Sequence, residues 1–471
     1  MPASTFHAPA SHRWSWARTT DILCWLAIGY LGWFALHFYA ERIHGDASYF
    51  LLKIVDEGTF FVSHGRWIMP LSQWMAVLGV KAGVPMTTLI TLYSLGNVAI
   101  VLFAFSFVRY GLHDRSAGIA VIGTQMLGLA DALFCPVFEF YYGSMLLVVC
   151  LALIRNGGMN IAIRSSLFAV LLFLALSSHF MAMLVAGMIL FTIRVWQDRA
   201  FGITTAAVFL AHLAVRLTFL SDYEERAIDS LWIRFDVLGM CWAFHPGRLF
   251  AHGVHALVSY PDVILLSLLA TFTFIRQRAW RTAFLFCGGI LVIYVLQSLY
   301  FPDGTHSIYR EIVDYPFAVW VIVVVFAMRT ETARVNNAWR WAIMACLIYR
   351  CMAPLQIADT YSARVAWMRD RIREAHDQGI QRGFVLESST HDPPGNGVGP
   401  FTALNPTEVI LLSAEAGPDP TVVLFPTRTA VVNDSIEDLL EQKLIDSDIP
   451  LIWHSRSPYF NVAEEPFRIL R

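Results

Sequence analysis

Residues 22–40 read ILCWLAIGYLGWFALHFYA and run straight into ERIHGD at 41–46. The first stretch is long and apolar enough to cross a bilayer as a helix, which takes about 20 such residues. It is too long for the apolar core of a secretory leader, and no small-residue cleavage site follows it. It therefore reads as a retained anchor that delivers a polar loop to one membrane face.

The rest of the chain repeats this character. Of 471 residues, 56% are hydrophobic and only 15% charged, well under the roughly 25% charge of soluble domains. Mean hydropathy is +0.54. Apolar runs at 21–40, 86–108, 117–134, 140–154, 165–178, 180–193, 200–220, 261–275, 282–300, 315–328 and 341–358 predict about eleven spans. The pair 165–178 and 180–193 could instead form a re-entrant hairpin around Ser177-Ser178-His179. The net charge of −2 gives no electrostatic case for a nucleic-acid partner.

Arginine placement orients the spans. Arg13 and Arg18 precede the first; Arg109, Arg115, Arg155, Arg164, Arg194 and Arg199, then Arg276, Arg278, Arg281, Arg329, Arg334 and Arg340, fall in alternate turns against Asp114, Asp198 and Glu331. The intervening loops are acid-rich. By the positive-inside rule this predicts a multi-pass plasma (inner) membrane protein with a cytoplasmic N-terminus. Treating 68–83 as a span would invert that pattern, so it reads as an interfacial helix, aided by Pro70, Gln73, Trp74 and Lys81.

The expected organisation is a cytoplasmic tail at 1–20, a membrane domain at 21–358 and an extracytoplasmic soluble domain at 359–471. The fold class is mainly α: a polytopic helical bundle with a small α/β C-terminal domain. In that last part a polar helix is predicted at 360–378, strands at Gly383–Glu387, Thr421–Phe425 and Pro450–His454, and helices from Asn405-Pro406 to about Ala416 and over Ser435–Gln442. The seven cysteines show no metal spacing, and most lie in apolar runs.

Candidate chemistry concentrates in the predicted outer loops, where function tends to sit on a rigid scaffold. The first, 41–67, holds Glu41, His44, Asp46, Asp56, Glu57, His64 and Arg66. A carboxylate there can act as general base toward a hydroxyl, and Arg66 can bind a phosphate through its fork of donors. Glu139 lies at a later outer hairpin tip, before Tyr141-Tyr142-Gly143. The stretch Pro302-Asp303-Gly304-Thr305-His306-Ser307-Ile308-Tyr309-Arg310-Glu311 offers His306, Tyr309 and Arg310 toward a phosphate or sugar. In 221–260, His252 and His255 could share a helix face, but further zinc ligands are not evident, so an interfacial helix is the expectation. Asp131, His212, Arg216 and Arg350 fall in or at the ends of predicted spans; for Asp131 and Arg216 snorkelling to the interface is a sufficient explanation.

This layout resembles the GT-C superfamily of integral membrane glycosyltransferases, in architecture over essentially the whole chain and in motif around Glu41 and Asp46. His64-Gly65-Arg66-Trp67 is also similar to bacterial glucosyltransferases of the O-antigen-modifying type. The resemblance implies an inverting transferase that moves a sugar from a polyprenyl-phosphate donor to an extracytoplasmic glycan or lipid acceptor. No cofactor is required by the sequence, though a divalent cation could assist. The family commonly carries two adjacent acids soon after the first span, whereas Glu41 and Asp46 are separated and the adjacent pair Asp56-Glu57 comes later. The base is therefore open among these four. Asp46 is preferred because Gly45 permits a tight turn that aims it. The rival readings are a transporter or flippase and a non-catalytic membrane assembly protein.

Overall fold

The computed structural model describes residues 16–219, 225, 229, 235, 237–300, 308–327, 337–387, 406–417, 421–428, 457–462 and 468–470. They are mainly helical. In chain order the helices are α1 (Trp16–His37), α2 (Asp46–Glu57), α3 (Pro70–Lys81), α4 (Met86–Ser106), α5 (Arg115–Met126), α6 (Glu139–Arg155), α7 (Ile161–Leu176), α8 (Phe180–Thr192), α9 (Arg199–Thr218), α10 (Val237–Ala243), α11 (Pro246–Ser259), α12 (Pro261–Arg276), α13 (Trp280–Tyr300), α14 (Ile308–Ile322), α15 (Asn337–Asp377) and α16 (Pro406–Ser413).

Among the described residues, five helical stretches are long and apolar enough to cross a membrane: Thr19–His37, Met86–Gly111, Arg199–Thr218, Trp280–Leu299 and Trp341–Asp377. A sixth arises if α11 and α12, bent by 105° at their junction, count as one span. The expected spans 165–178, 180–193 and 315–328 appear as shorter apolar helices. The segment 68–83 contains α3, only 12 residues long, about 18 Å of helix and well short of a hydrocarbon core. α6 has every side chain from Glu139 to Leu153 buried and forms the centre of the bundle.

The expected helix over 117–134 is corrected by the structure. α5 stops at Met126, Gly128 takes φ +75°, and regular α-structure resumes only at Glu139. Irregular backbone inside a membrane bundle must find other partners for its amides and carbonyls. Buried ionisable side chains supply them. Asp262 accepts from Gly128 N at 3.1 Å, and Glu311 accepts from Ala130 N and from Ala132 N, the latter at 3.0 Å. Arg350 donates to Leu129 O at 3.3 Å, and Arg42 donates to Leu133 O. Arg350 also pairs with Asp262, and both are almost fully enclosed. Arg350, which the sequence places within the predicted span 341–358, thus has a structural occupation.

α15 runs 41 residues without a break, about 60 Å, and contains the expected boundary at 358/359. Beyond it, β1 (Arg382–Glu387) pairs in parallel with β2 (Val423–Arg428) and β3 (Arg468–Leu470), in the order β2-β1-β3. The first two match the expected strands, and α16 begins at Pro406 as expected. The third strand was not anticipated. Strand 450–454, helix 435–442 and Asn405 lie outside the described residues. This C-terminal unit shares one apolar core with the first loop: Ile43, Phe50, Leu51 and Ile54 cluster with Met368, Phe384, Ile410 and Leu424. Tyr459 OH bonds Val84 O and Ser457 Oγ bonds Val55 O, each at 2.9 Å.

Candidate functional site

Two turns build the site. The first is at Gly45, whose φ of 58° and ψ of −125° no residue with a side chain adopts comfortably. It ends the 3-10 turn Glu41–Ile43 and starts α2 with Asp46 as the first residue. α2 buries Ala47, Phe50, Leu51, Ile54 and Val55 and closes on Gly58, whose N–H bonds Ile54 O at 2.9 Å. Its anchored apolar face leaves the first turn free to present the carboxylate.

The second turn is His64-Gly65, with φ of 50° and 65°, which sends Arg66 back toward the bundle. Arg66 forms an ion pair with Glu139, the first residue of α6, which is 4% exposed. Arg216, near the end of α9, donates to His64 O at 3.5 Å and Ser177 O at 3.3 Å. That bridges the turn to the α7–α8 corner, where His179 caps α8 by accepting from Met181 N at 3.2 Å. Burial, followed by the Arg66 and Arg216 charges, lowers the His179 pKa to about 3, so the ring is neutral.

Asp46 belongs to this cluster. It is an exposed residue whose neighbours restrict the hydration of its carboxylate. Restricted hydration, then the neighbouring Glu139 charge, push its pKa up to about 6, with Arg66 opposing. An accessible carboxylate poised near neutrality suits a general base. The guanidinium groups of Arg66 and Arg216 could stabilise an oxyanion or phosphate.

The other expected site residues scatter. Glu41 accepts from Ser362 Oγ at 2.9 Å. His44 is 1% exposed, beside Glu408 at 3.5 Å and edge-on to Tyr361. Asp56 and Glu57 lie at the far end of α2, about 15 Å along the axis from Asp46, and Glu57 pairs with Lys53 at 3.9 Å. His306 lies outside the described residues. Tyr309 and Arg310 are described as backbone only, in the first turn of α14, next to the Glu311 that binds the 130–132 backbone.

Two members of the cluster were not assigned there from sequence. Arg216 was explained by snorkelling and His179 only by its hairpin position; no spacing in the chain links either to Asp46. A separate cavity of about 230 Å³ lies between α11, α12, α13 and α14, lined by His252, His255, Tyr260, Tyr294, Gln297 and Asp314 among apolar side chains. There His255 Nε2 meets Asp314 at 3.0 Å and His252 Nε2 meets Ser298 Oγ at 3.5 Å. Among the described residues no group of three or more histidine, cysteine or acidic side chains is arranged to hold a metal ion. Comparison with protein-family models, curated proteins and solved structures finds no match to this chain.

Proposed function

We propose that this chain is a GT-C-like membrane glycosyltransferase in which Asp46 deprotonates the acceptor hydroxyl while Arg66 and Arg216 bind the phosphate of a polyprenyl-phosphate sugar. The observation that supports it best is the combination at Asp46: an exposed acid at the start of α2, with a pKa raised to about 6, within electrostatic reach of the Arg66–Glu139 pair. Attack by the hydroxyl oxygen on the sugar C1 forms the new glycosidic bond as the C1–O bond to phosphate breaks. Asp46 takes the hydroxyl proton, and the polyprenyl phosphate leaves carrying the electron pair. The site would face the extracytoplasmic side, with Asp21, Arg109 and Arg115, which pair at 2.8–3.3 Å, marking the cytoplasmic end. About eleven crossings, several made by short helices, and an extracytoplasmic C-terminal unit complete this reading.

The test is transfer of labelled sugar from polyprenyl phosphate in nanodiscs. Wild-type rate should rise with pH and level off above about 6, because only the deprotonated carboxylate accepts a proton. Asp46→Asn should lower the plateau by roughly a hundredfold or more. A variant with wild-type turnover sinks the assignment. The broken segment 127–138 favours a second reading, a transporter, since transporters build sites from unwound helices. Uptake of substrate into proteoliposomes without glycosyl transfer would establish it instead.

A further inference from the structure

We propose that Glu408, in the C-terminal unit, is a positioning residue for Asp46, so that the site is completed only when that unit docks on the first loop. The inference rests on the Asp46 reading above.

The contact is one residue from the proposed base. Glu408 Oε1 accepts from Gly45 N at 2.9 Å, and the carboxylate is 1% exposed. The Gly45 carbonyl is held as well: Ser48 Oγ donates to it at 2.7 Å. With its only hydrogen committed there, Ser48 receives one from Thr407, the residue before Glu408. Adjacent residues of α16 thus hold the two peptide groups that flank the Gly45 Cα, Glu408 directly and Thr407 through Ser48, and these set where Asp46 points. Gly45 adopts this conformation only when its surroundings hold it, because glycine has many others available.

Glu408 is itself fixed. Arg364, on α15, donates to both of its oxygens, at 2.9 Å to Oε1. Burial disfavours the charge, but Arg364 and then His44 outweigh it and hold the pKa down to about 2, so the acceptor is a carboxylate at any physiological pH. Two roles are therefore joined in one group. Toward Arg364 it docks α16 on α15; toward Gly45 it shapes the start of α2.

Substitutions can separate these roles in the full-length protein. Arg364→Met with Glu408→Leu removes both buried charges, which is close to neutral for an isolated pair, and leaves Gly45 N without its acceptor. Arg364→Met with Glu408→Gln also removes the charges but keeps an acceptor oxygen. Hydrogen exchange is read over 41–48 for the turn and over 409–413 and 421–425 for docking; transfer is read against pH. In the Met/Leu protein, docking protection should stay, exchange at 41–48 should quicken by at least about tenfold, and kcat should fall by roughly a hundredfold with KM little changed. Met/Gln should recover protection at 41–48 and most of the rate. Unchanged exchange at 41–48 in Met/Leu overturns the proposal. So does loss at 41–48 that comes only together with loss at 409–413 and 421–425, since docking alone would then account for it. Should Asp46→Asn prove fully active, the transferase reading falls, while the exchange arm still decides whether Glu408 holds the turn.

Discussion

The buried Arg350–Asp262 pair invites a double substitution with a definite expected cost. An isolated buried ion pair can often be replaced by apolar residues at no cost, because desolvation cancels its Coulombic gain. Here the pair has further duties. Asp262 takes the Gly128 N–H and Arg350 covers the Leu129 carbonyl, both in the irregular stretch after α5. Asp262→Leu with Arg350→Met orphans the buried Gly128 N–H and Leu129 carbonyl at about 1–3 kcal/mol each and also strips the half-buried Ser259 carbonyl of the Arg350 bond at 2.8 Å, so the double variant should lose at least about 2–6 kcal/mol. Arg350→Met alone leaves an unpaired buried carboxylate and should cost about 3–5 kcal/mol. Asp262→Asn with Arg350→Met restores an acceptor for Gly128 and should recover about 1–3 kcal/mol of the loss. The measurement is unfolding free energy in bicelles by steric trapping, with the single variants completing the cycle. A Leu/Met protein within about 1 kcal/mol of wild type would refute the view that these charges exist to satisfy broken backbone.

Burial, then the nearby Asp131, push the Glu311 pKa above its ordinary 4.5; its stabilising share is complete below about 4.5 and lost as pH rises through the raised value. Wild-type Tm should fall across that window, and Glu311→Gln should flatten the slope; an unchanged slope contradicts the buried assignment. Gly45→Ala should destabilise by about 1–3 kcal/mol through its positive φ and cut transfer more than it lowers Tm; equal behaviour to wild type would mean that the turn is not as described. Asp56→Asn and Glu57→Gln should change stability by no more than about 0.5 kcal/mol and leave transfer intact; loss of turnover in either moves the base to the far end of α2.

What could be read from the sequence follows from how local each signal is. The long spans stand out because twenty apolar residues in a row have few other fates, and the arginine pattern follows from their ends. The break after α5 was invisible: MLGLADALFCPVF at 126–138 is as apolar as a spanning helix. The four buried ionisable residues described as bonding its backbone (Arg42, Asp262, Glu311 and Arg350) lie tens to hundreds of positions away. Asp46, Arg66 and Glu139 were legible as charges just past predicted spans, and the structure gathers them. His44 and Glu41 share the same loop but turn toward α15 and α16, since a loop's composition does not say which way each side chain faces. Glu408 looked like an ordinary first-turn acid, and nothing near it in the chain points to Gly45.

The stretch 127–138 also bears on how the protein is made. Among the described ionisable residues that bond its backbone, only Arg42 has been synthesised when the stretch itself emerges; Asp262, Glu311 and Arg350 follow much later. Lipid offers no substitute for them. The early helices therefore cannot settle into final positions as they leave the insertion machinery. Until α15 arrives, the stretch must stay hydrated or shielded by a chaperone. Chains truncated before Arg350 should accordingly be caught by membrane quality control, although they already hold most of the apolar helices.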